Sequence, residues 1–329
     1  MSQSIQTHAM ARVRHYAAQI TPDQLLRSLG LPIVGIMAFL LLWSLAAPNV
    51  VTSLGTLPGP ADVWEQSGNL WADYREEQQR AAEFIAMQEE RNARILEQNP
   101  DAEVRIRPYS GATTFVDQIW TSLGTVMAGF LLATLFAVPL GILVGLNQHL
   151  YAAVNPIIQV FKPVSPLAWL PIVTLVVSAT YVSDDPMFSR SFVTSVVTVS
   201  LCSLWPTLIN TIMGVNSVSQ DLKNVSQVLR LPFLTHVWKV VLPSSIPMIF
   251  TGMRLSLGIA WMVLIAAEML AQNPGLGKFV WDEFQNGSSN SLSRIMVAVI
   301  VIGFIGLLLD RAMLVLQKTL SWDKSTATH

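Results

Sequence analysis

A single cysteine, Cys202, stands in the whole chain, so no internal disulfide is possible and no cysteine cluster can hold a metal. Charge is also scarce: 12% of the 329 residues are Asp, Glu, Lys or Arg against 52% hydrophobic, and the net charge is −1. Mean hydropathy is +0.47, which argues against a water-soluble domain, and no nucleic-acid partner is expected. The G-x-x-x-x-G-K-[ST] phosphate loop is missing; Gly275-Leu276-Gly277-Lys278 lacks both its spacing and its hydroxyl, so any ATP binds elsewhere. Histidines number five (His8, His15, His149, His236 and His329) and show no ligand spacing, which removes a metal centre or membrane enzyme from consideration. Internal repeats are missing as well, which argues against a self-sufficient secondary transporter.

What the chain does hold is apolar runs: Leu31 to Ala47, Val126 to Leu146, Val154 to Ala179, Phe192 to Val215, Ile246 to Leu270 and Ile295 to Leu309. Most are near the roughly 20 residues needed to cross the hydrocarbon of a bilayer. The fold expected is therefore all-α and integral to the membrane, with six spanning helices. Ser44-Leu45-Ala46-Ala47 faintly resembles a cleavage site, but an uncleaved first helix keeps the number of crossings even. The third run carries Lys162, Pro163, Pro166 and Pro171, an irregularity tolerated in a membrane only where protein or a water-filled cavity satisfies the freed carbonyls. That points to a segment lining a pathway. Gly141 and Gly145 suit close helix packing.

Basic residues mark the cytoplasmic side. They cluster before the first helix (Arg12, Arg14, Arg27), around Lys223, Arg230 and Lys239, and in the tail (Arg311, Lys318, Lys324), which puts both termini inside. Asp184 and Asp185, Asp282 and Glu283, and the acidic stretch after the first helix then fall outside. The expected division is a cytoplasmic segment 1–30, a first spanning helix 31–49, a periplasmic helical insertion 50–116, a core 117–318 with a cytoplasmic loop 217–247, and a tail 319–329. Pro60 to Gln98 reads as one helix, with Trp71, Tyr74, Ala81, Ile85 and Leu96 roughly on one face. It is either a docking surface for an outside partner or a hairpin lying on the membrane or on its own bundle.

The stretch Ser217 to Pro247, "SVSQDLKNVSQVLRLPFLTHVWKVVLPSSIP", is amphipathic. Asn224, Val228 and Leu231, then Val237, Val240 and Val241, recur at near-helical spacing; Pro232 breaks the run and Leu242-Pro243 should end it. Two short helices meeting at a bend would present a knob to a cytoplasmic partner. This stretch resembles the EAA loop of ABC importer permeases, whose Leu-Pro close matches Leu242-Pro243. Asn224, Val225 and Ser226 stand where that family usually has Glu-Ala-Ala, and Arg230 where it has Gly. "FKPVSPLAWLPI" at Phe161 to Ile172, "FTGMRLSLGIAWMVLIAAEML" at Phe250 to Leu270 and "GLGKFVWDEFQNGS" at Gly275 to Ser288 look like the nitrate, sulfonate and taurine permeases. "WPTLINTIMGV", "IPMIFTGMRL" and "GLLLDR" look most like the nitrate permease. The resemblance covers residues 115 to 318, not the insertion.

It implies a type I importer in the bacterial inner membrane: two permease copies in the lipid bilayer, two ATPase subunits that bind ATP and Mg, and a periplasmic or membrane-anchored solute-binding protein. This chain itself would bind no cofactor and catalyse nothing. Its solute would be nitrate, with nitrite beside it; taurine or another organosulfonate, cyanate and bicarbonate are the alternatives. Asn224, Ser226, Arg230, Leu231, Pro232, Phe233, Leu242 and Pro243 would dock in the ATPase groove. Ionisable residues in spanning segments are costly and mark pathways, which singles out Lys162, Arg254 and Glu268. Lys162 and Arg254 either offer donors to a planar oxyanion or snorkel to the headgroups. Glu268 reads as the partner of a helix-end donor or as a gate. Trp169, Trp205 and Trp261 line the cavity or pack the bundle.

Overall fold

The computed structural model describes residues 26, 30–52, 55–182 and 187–320. Arg12, Arg14, Arg27, Asp184, Asp185, Lys324, His8, His15 and His329 lie outside the described residues. Among the described residues, five helices are long and apolar enough to cross a membrane, or six when one bent pair counts as a span.

Helix α1, Leu31–Ala46, is apolar all round and stays exposed on every face, as a lipid-facing helix does. Its anchor is Trp43, whose indole N–H donates to the Pro58 carbonyl at 3.1 Å. A two-residue ribbon, β1 Val51–Thr52 and β2 Gly55–Thr56, pairs antiparallel with Val51 opposite Thr56. It leads into α2, Pro60–Gln98, a helix of 39 residues. Pro60 fills the first turn and the Asp62 carboxylate accepts from the Gly59 N–H at 2.8 Å. Only the start of α2 is buried, at Val63, Gln66 and Leu70.

Helix α3, Phe115–Leu146, begins well before the apolar run from Val126, because Thr114 and Asp117 form a reciprocal cap. Its partner is α6, Arg190–Asn216. A Cβ added at Gly129, Gly141 or Gly145 would sit 2.7 Å from Val199, 2.6 Å from Thr211 and 2.8 Å from Val215, so only glycine permits the approach. Those contacts advance together along both helices, which makes α3 and α6 parallel. The chain between them must therefore return across the full length of the bundle.

It does so in two pieces, α4, Gln148–Phe161, and α5, Pro166–Thr180, bent by 100° at the break. The single irregular helix expected over this stretch is thus corrected to a broken pair. Pro163 and Pro166 each remove a backbone donor, and Ser165 restarts the helix by accepting the Leu167 N–H at 3.3 Å.

Helix α9, Leu242–Ala271, runs antiparallel to α6; Gly252 meets Asn210, Gly214 meets Met248, and Thr207 and Ser256 join hydroxyls at 2.7 Å. After it come α10, Leu276–Asn286, and α11, Ser291–Leu320. Helix α11 is antiparallel to α9, tied by Trp261 Nε1 to the Ile302 carbonyl at 3.0 Å and by Gln317 to the Pro247 carbonyl at 3.4 Å. The bundle consequently has two unlike ends: α2 and α10 at one, and the loop 217–232 with the C-terminus of α11 at the other.

Candidate functional site

At the loop end, α7, Gln220–Val228, starts on Ser219, whose hydroxyl accepts the Leu222 N–H at 3.4 Å. It stops in a turn where Arg230 adopts φ 47, the left-handed region that glycine enters freely and arginine at a cost of about 1–2 kcal/mol. So the position that resembles a family glycine does need a glycine-like backbone. Leu231 N–H closes the turn on the Ser226 carbonyl at 3.1 Å. Pro232 then caps α8, Phe233–His236. Ser226 is buried and its hydroxyl meets His236 Nδ1 at 2.7 Å, so the two arms of the bend are pinned together.

Val225, Val228, Phe233 and Leu234 remain exposed on the loop, forming an apolar knob. Asn224 holds Gln220 at 3.1 Å on its outer side. Leu242-Pro243, expected to end the second helix, does not. Val237–Val241 winds as a π-helix and passes straight into α9, with Leu242 N–H donating to the Val237 carbonyl. The wider turn accommodates Pro243, and the Ser244 hydroxyl donates to the Val240 carbonyl at 2.7 Å.

The six pathway candidates are divided among three places. Lys162, at the break between α4 and α5, lines a cavity of about 420 Å³ with Cys202, Trp205 and Asn210 of α6 and Leu255, Ile259 and Met262 of α9. Among the described residues no ion pair or side-chain hydrogen bond engages its ammonium. Phe161 joins the other two residues of this group, stacking on Trp169 at 5.9 Å and on Trp205 at 6.4 Å with planes 8° apart. The Trp169 indole N–H has no hydrogen-bond partner among the described residues.

Arg254 turns the other way. Its guanidinium grips Asp310 of α11 with two nitrogens, Nε to Oδ1 and Nη2 to Oδ2, the latter at 2.9 Å. Trp261, two turns on, is buried against α11. Both residues therefore join α9 to α11. Asp310 is not legible as a pathway candidate in the sequence, because the last apolar run ends at Leu309, whereas the helix continues to Leu320.

Glu268 is 1% exposed at the far end of α9. Its carboxyl accepts from the Ser122 hydroxyl at 2.8 and 2.9 Å and from the Gly277 N–H at 2.9 Å, while Ser122 accepts the Leu276 N–H at 2.9 Å. The acid thus holds the N-terminus of α10, where unpaired amide donors favour it, and ties α3, α9 and α10 together. Asp282 and Glu283, read as loop acids, lie on α10; buried Glu283 accepts from Ser291 and Arg294, each at 3.0 Å. Arg294 also reaches Asp73 of α2 at 3.0 Å. Nothing in the local pattern around Ser122 or Arg294 flags these roles; only the assembled bundle brings them together.

Residues 137–322, more than half of the chain, match the family described as binding-protein-dependent transport system inner membrane component. The chain belongs to that family. This permease is 38% identical over 193 residues to the nitrate import permease protein NrtB of Leptolyngbya laminosa, covering 59% of this chain and 64%, a little under two thirds, of the relative. It is 32% identical over 300 residues to the bicarbonate transport system permease protein CmpB of Synechococcus elongatus, 90% of each chain. The taurine transport system permease protein TauC of Escherichia coli matches at 30% over 217 residues, 64% of this chain and 74% of the other. In fold, the permease resembles a chain of the inward-facing MetNI methionine ABC transporter, with a TM-score of 0.54 at 14% identity over 63% of this chain and 95% of that one.

Proposed function

We propose that this permease is the membrane subunit of an ATP-driven ABC importer for nitrate, working as a pair of identical copies with two cytoplasmic ATPase subunits and an outer solute-binding protein. The observation that carries the solute class is Lys162: an exposed side chain at the break between α4 and α5, with no counter-ion for its ammonium among the described residues, lining a cavity that also holds the amide of Asn210. An ionisable residue in a segment read as spanning the membrane marks a pathway, and an open, uncommitted ammonium there is free to meet an anion. The indole N–H of Trp169, beside the stacked Phe161, is a second unspent donor.

The bend 219–236 supplies the other half of the machine. Its exposed apolar knob fits an ATPase groove, and its second arm is continuous with α9, so a push on Phe233 is delivered along the helix that walls the cavity. In this reading the loop end is cytoplasmic, α2 and α10 face outward, and the protein sits in the bacterial inner membrane with both termini inside.

Bicarbonate is a second reading, favoured by the likeness to CmpB along 90% of both chains, against 59% of this chain and 64% of the relative for NrtB. Taurine and cyanate fit the same cavity chemistry with less support. The test is uptake of labelled nitrate, labelled bicarbonate and labelled taurine by cells depleted of this chain, each measured with an excess of the other two solutes. Loss of nitrate uptake alone supports the proposal; loss of bicarbonate or taurine uptake with nitrate uptake intact keeps the machine and replaces the solute.

A further inference from the structure

Helix α2 touches the bundle only near its start, and its last anchor there is the Asp73–Arg294 ion pair at 3.0 Å. The remaining 25 residues to Gln98 extend for about 37 Å at 1.5 Å per residue. That length is an organised arm. The stretch 99–114 doubles back along it, with Gln88 exchanging two hydrogen bonds with the Arg107 backbone at 2.8 and 3.0 Å, Tyr109 donating to Glu77 at 2.8 Å, and the Tyr109 and Phe84 rings 5.4 Å apart. A segment stiffened by its own contacts and left uncovered by the bundle is built to meet something else.

Between the helix and its return lies a groove of about 420 Å³. Arg91, Arg105 and Arg107 line it, against a single acid, Glu103, and none of the three arginines enters an ion pair among the described residues. Its apolar lining includes Val104 and Ile106, 37% and 54% exposed. Unpaired guanidiniums beside exposed Val104 and Ile106 are the composition of a protein-binding surface, since arginine is enriched at interfaces and pairs bidentately with carboxylates. We propose that this groove docks an acidic patch of the solute-binding protein, and that the arm is how this permease holds its delivery partner.

The inference rests on the importer reading above, in which the arm's end of the bundle faces the solute-binding protein. An anionic membrane is a poor occupant, because a flat surface would meet the whole arm and Glu83, Glu89, Glu90 and Glu97 share that stretch. A local acidic patch needs only the groove. Asp73–Arg294–Glu283 then joins the docked arm to α10.

The test uses the full permease–ATPase complex in nanodiscs and the purified solute-binding protein whose addition stimulates its ATP hydrolysis. R91E/R105E/R107E should raise the concentration of binding protein needed for half-maximal stimulation at least about tenfold at low salt, with the difference shrinking at high salt and basal hydrolysis unchanged. The triple lysine variant, which keeps the charge, should stay near the parent value and so separates docking from misfolding of the arm. Unchanged half-maximal stimulation in the reversed variant overturns the proposal, as does a loss confined to binding of free nitrate or bicarbonate, to binding of anionic vesicles, or to pairing of permease copies. Absence of any stimulation in the parent complex would instead sink the importer reading, and this proposal with it.

Discussion

Replacing Glu268 by alanine removes the acceptor for two buried donors, the Ser122 hydroxyl at 2.8–2.9 Å and the Gly277 N–H at 2.9 Å. Each donor left unsatisfied in a buried site costs about 1–3 kcal/mol, so the junction of α3, α9 and α10 should lose roughly 2–6 kcal/mol. The loss is local first, because α10 is held at its start by this carboxyl and near its end by Glu283. Amide hydrogen exchange in detergent or nanodiscs reads it directly: 2 kcal/mol is about a thirtyfold gain in exchange rate, expected at residues 276–279 and smaller in α6. Glu268→Gln should fall between, since one carbonyl still serves Ser122 while its amide meets the Gly277 N–H donor to donor. G275A should mimic the alanine variant, because φ is +146 there and a Cβ would lie 2.2 Å from the Glu268 carboxyl. Parent-like exchange at 276–279 in Glu268→Ala would refute the reasoning.

Three further outcomes are expected. Arg230→Gly should stabilise the bend by about 1 kcal/mol by relieving the left-handed backbone, seen as slower exchange at 226–231, whereas Arg230→Val should weaken it. Leu231→Glu or Phe233→Glu should abolish transport with normal membrane abundance, and normal uptake in either would remove the loop from the mechanism. Tyr109 donates to Glu77, which holds its phenol above the usual 10.0, with desolvation adding to the rise. A raised folded value means that the bond's contribution is whole below pH 10 and is lost as pH climbs through the folded value; exchange protection at Arg107 should therefore fall only in strong alkali, and Tyr109→Phe should remove that transition.

The membrane class and most spans were legible because apolar runs are the strongest signal a sequence carries: the run from Leu31 and the run from Phe192 lie within two residues of their helices. Pro60 to Gln98 was readable as one helix from its proline start and its amphipathic face. Helix starts were missed where polar caps extend an apolar helix, as at Thr114 and Asp117. The π-turn before Leu242 was hidden because a Leu-Pro pair reads as a stop, and only the wider hydrogen-bond ring lets the helix continue. An ionisable residue within an apolar run is the pathway signal a sequence offers, and it marks Lys162, Arg254 and Glu268 alike. It cannot tell an unpaired ammonium facing a cavity from a guanidinium committed to Asp310, since that partner lies 56 positions away in sequence.

The central claim is that this chain is the anion pathway of an ATP-driven importer, and it is tested most directly in proteoliposomes containing the permease, its ATPase subunits and the solute-binding protein, by measuring labelled nitrate uptake with and without ATP. Uptake that requires ATP and the binding protein, and that falls steeply in Lys162→Ala but not in Lys278→Ala, is the predicted result. Uptake that proceeds on an ion gradient without ATP, or that is indifferent to Lys162, would contradict the account.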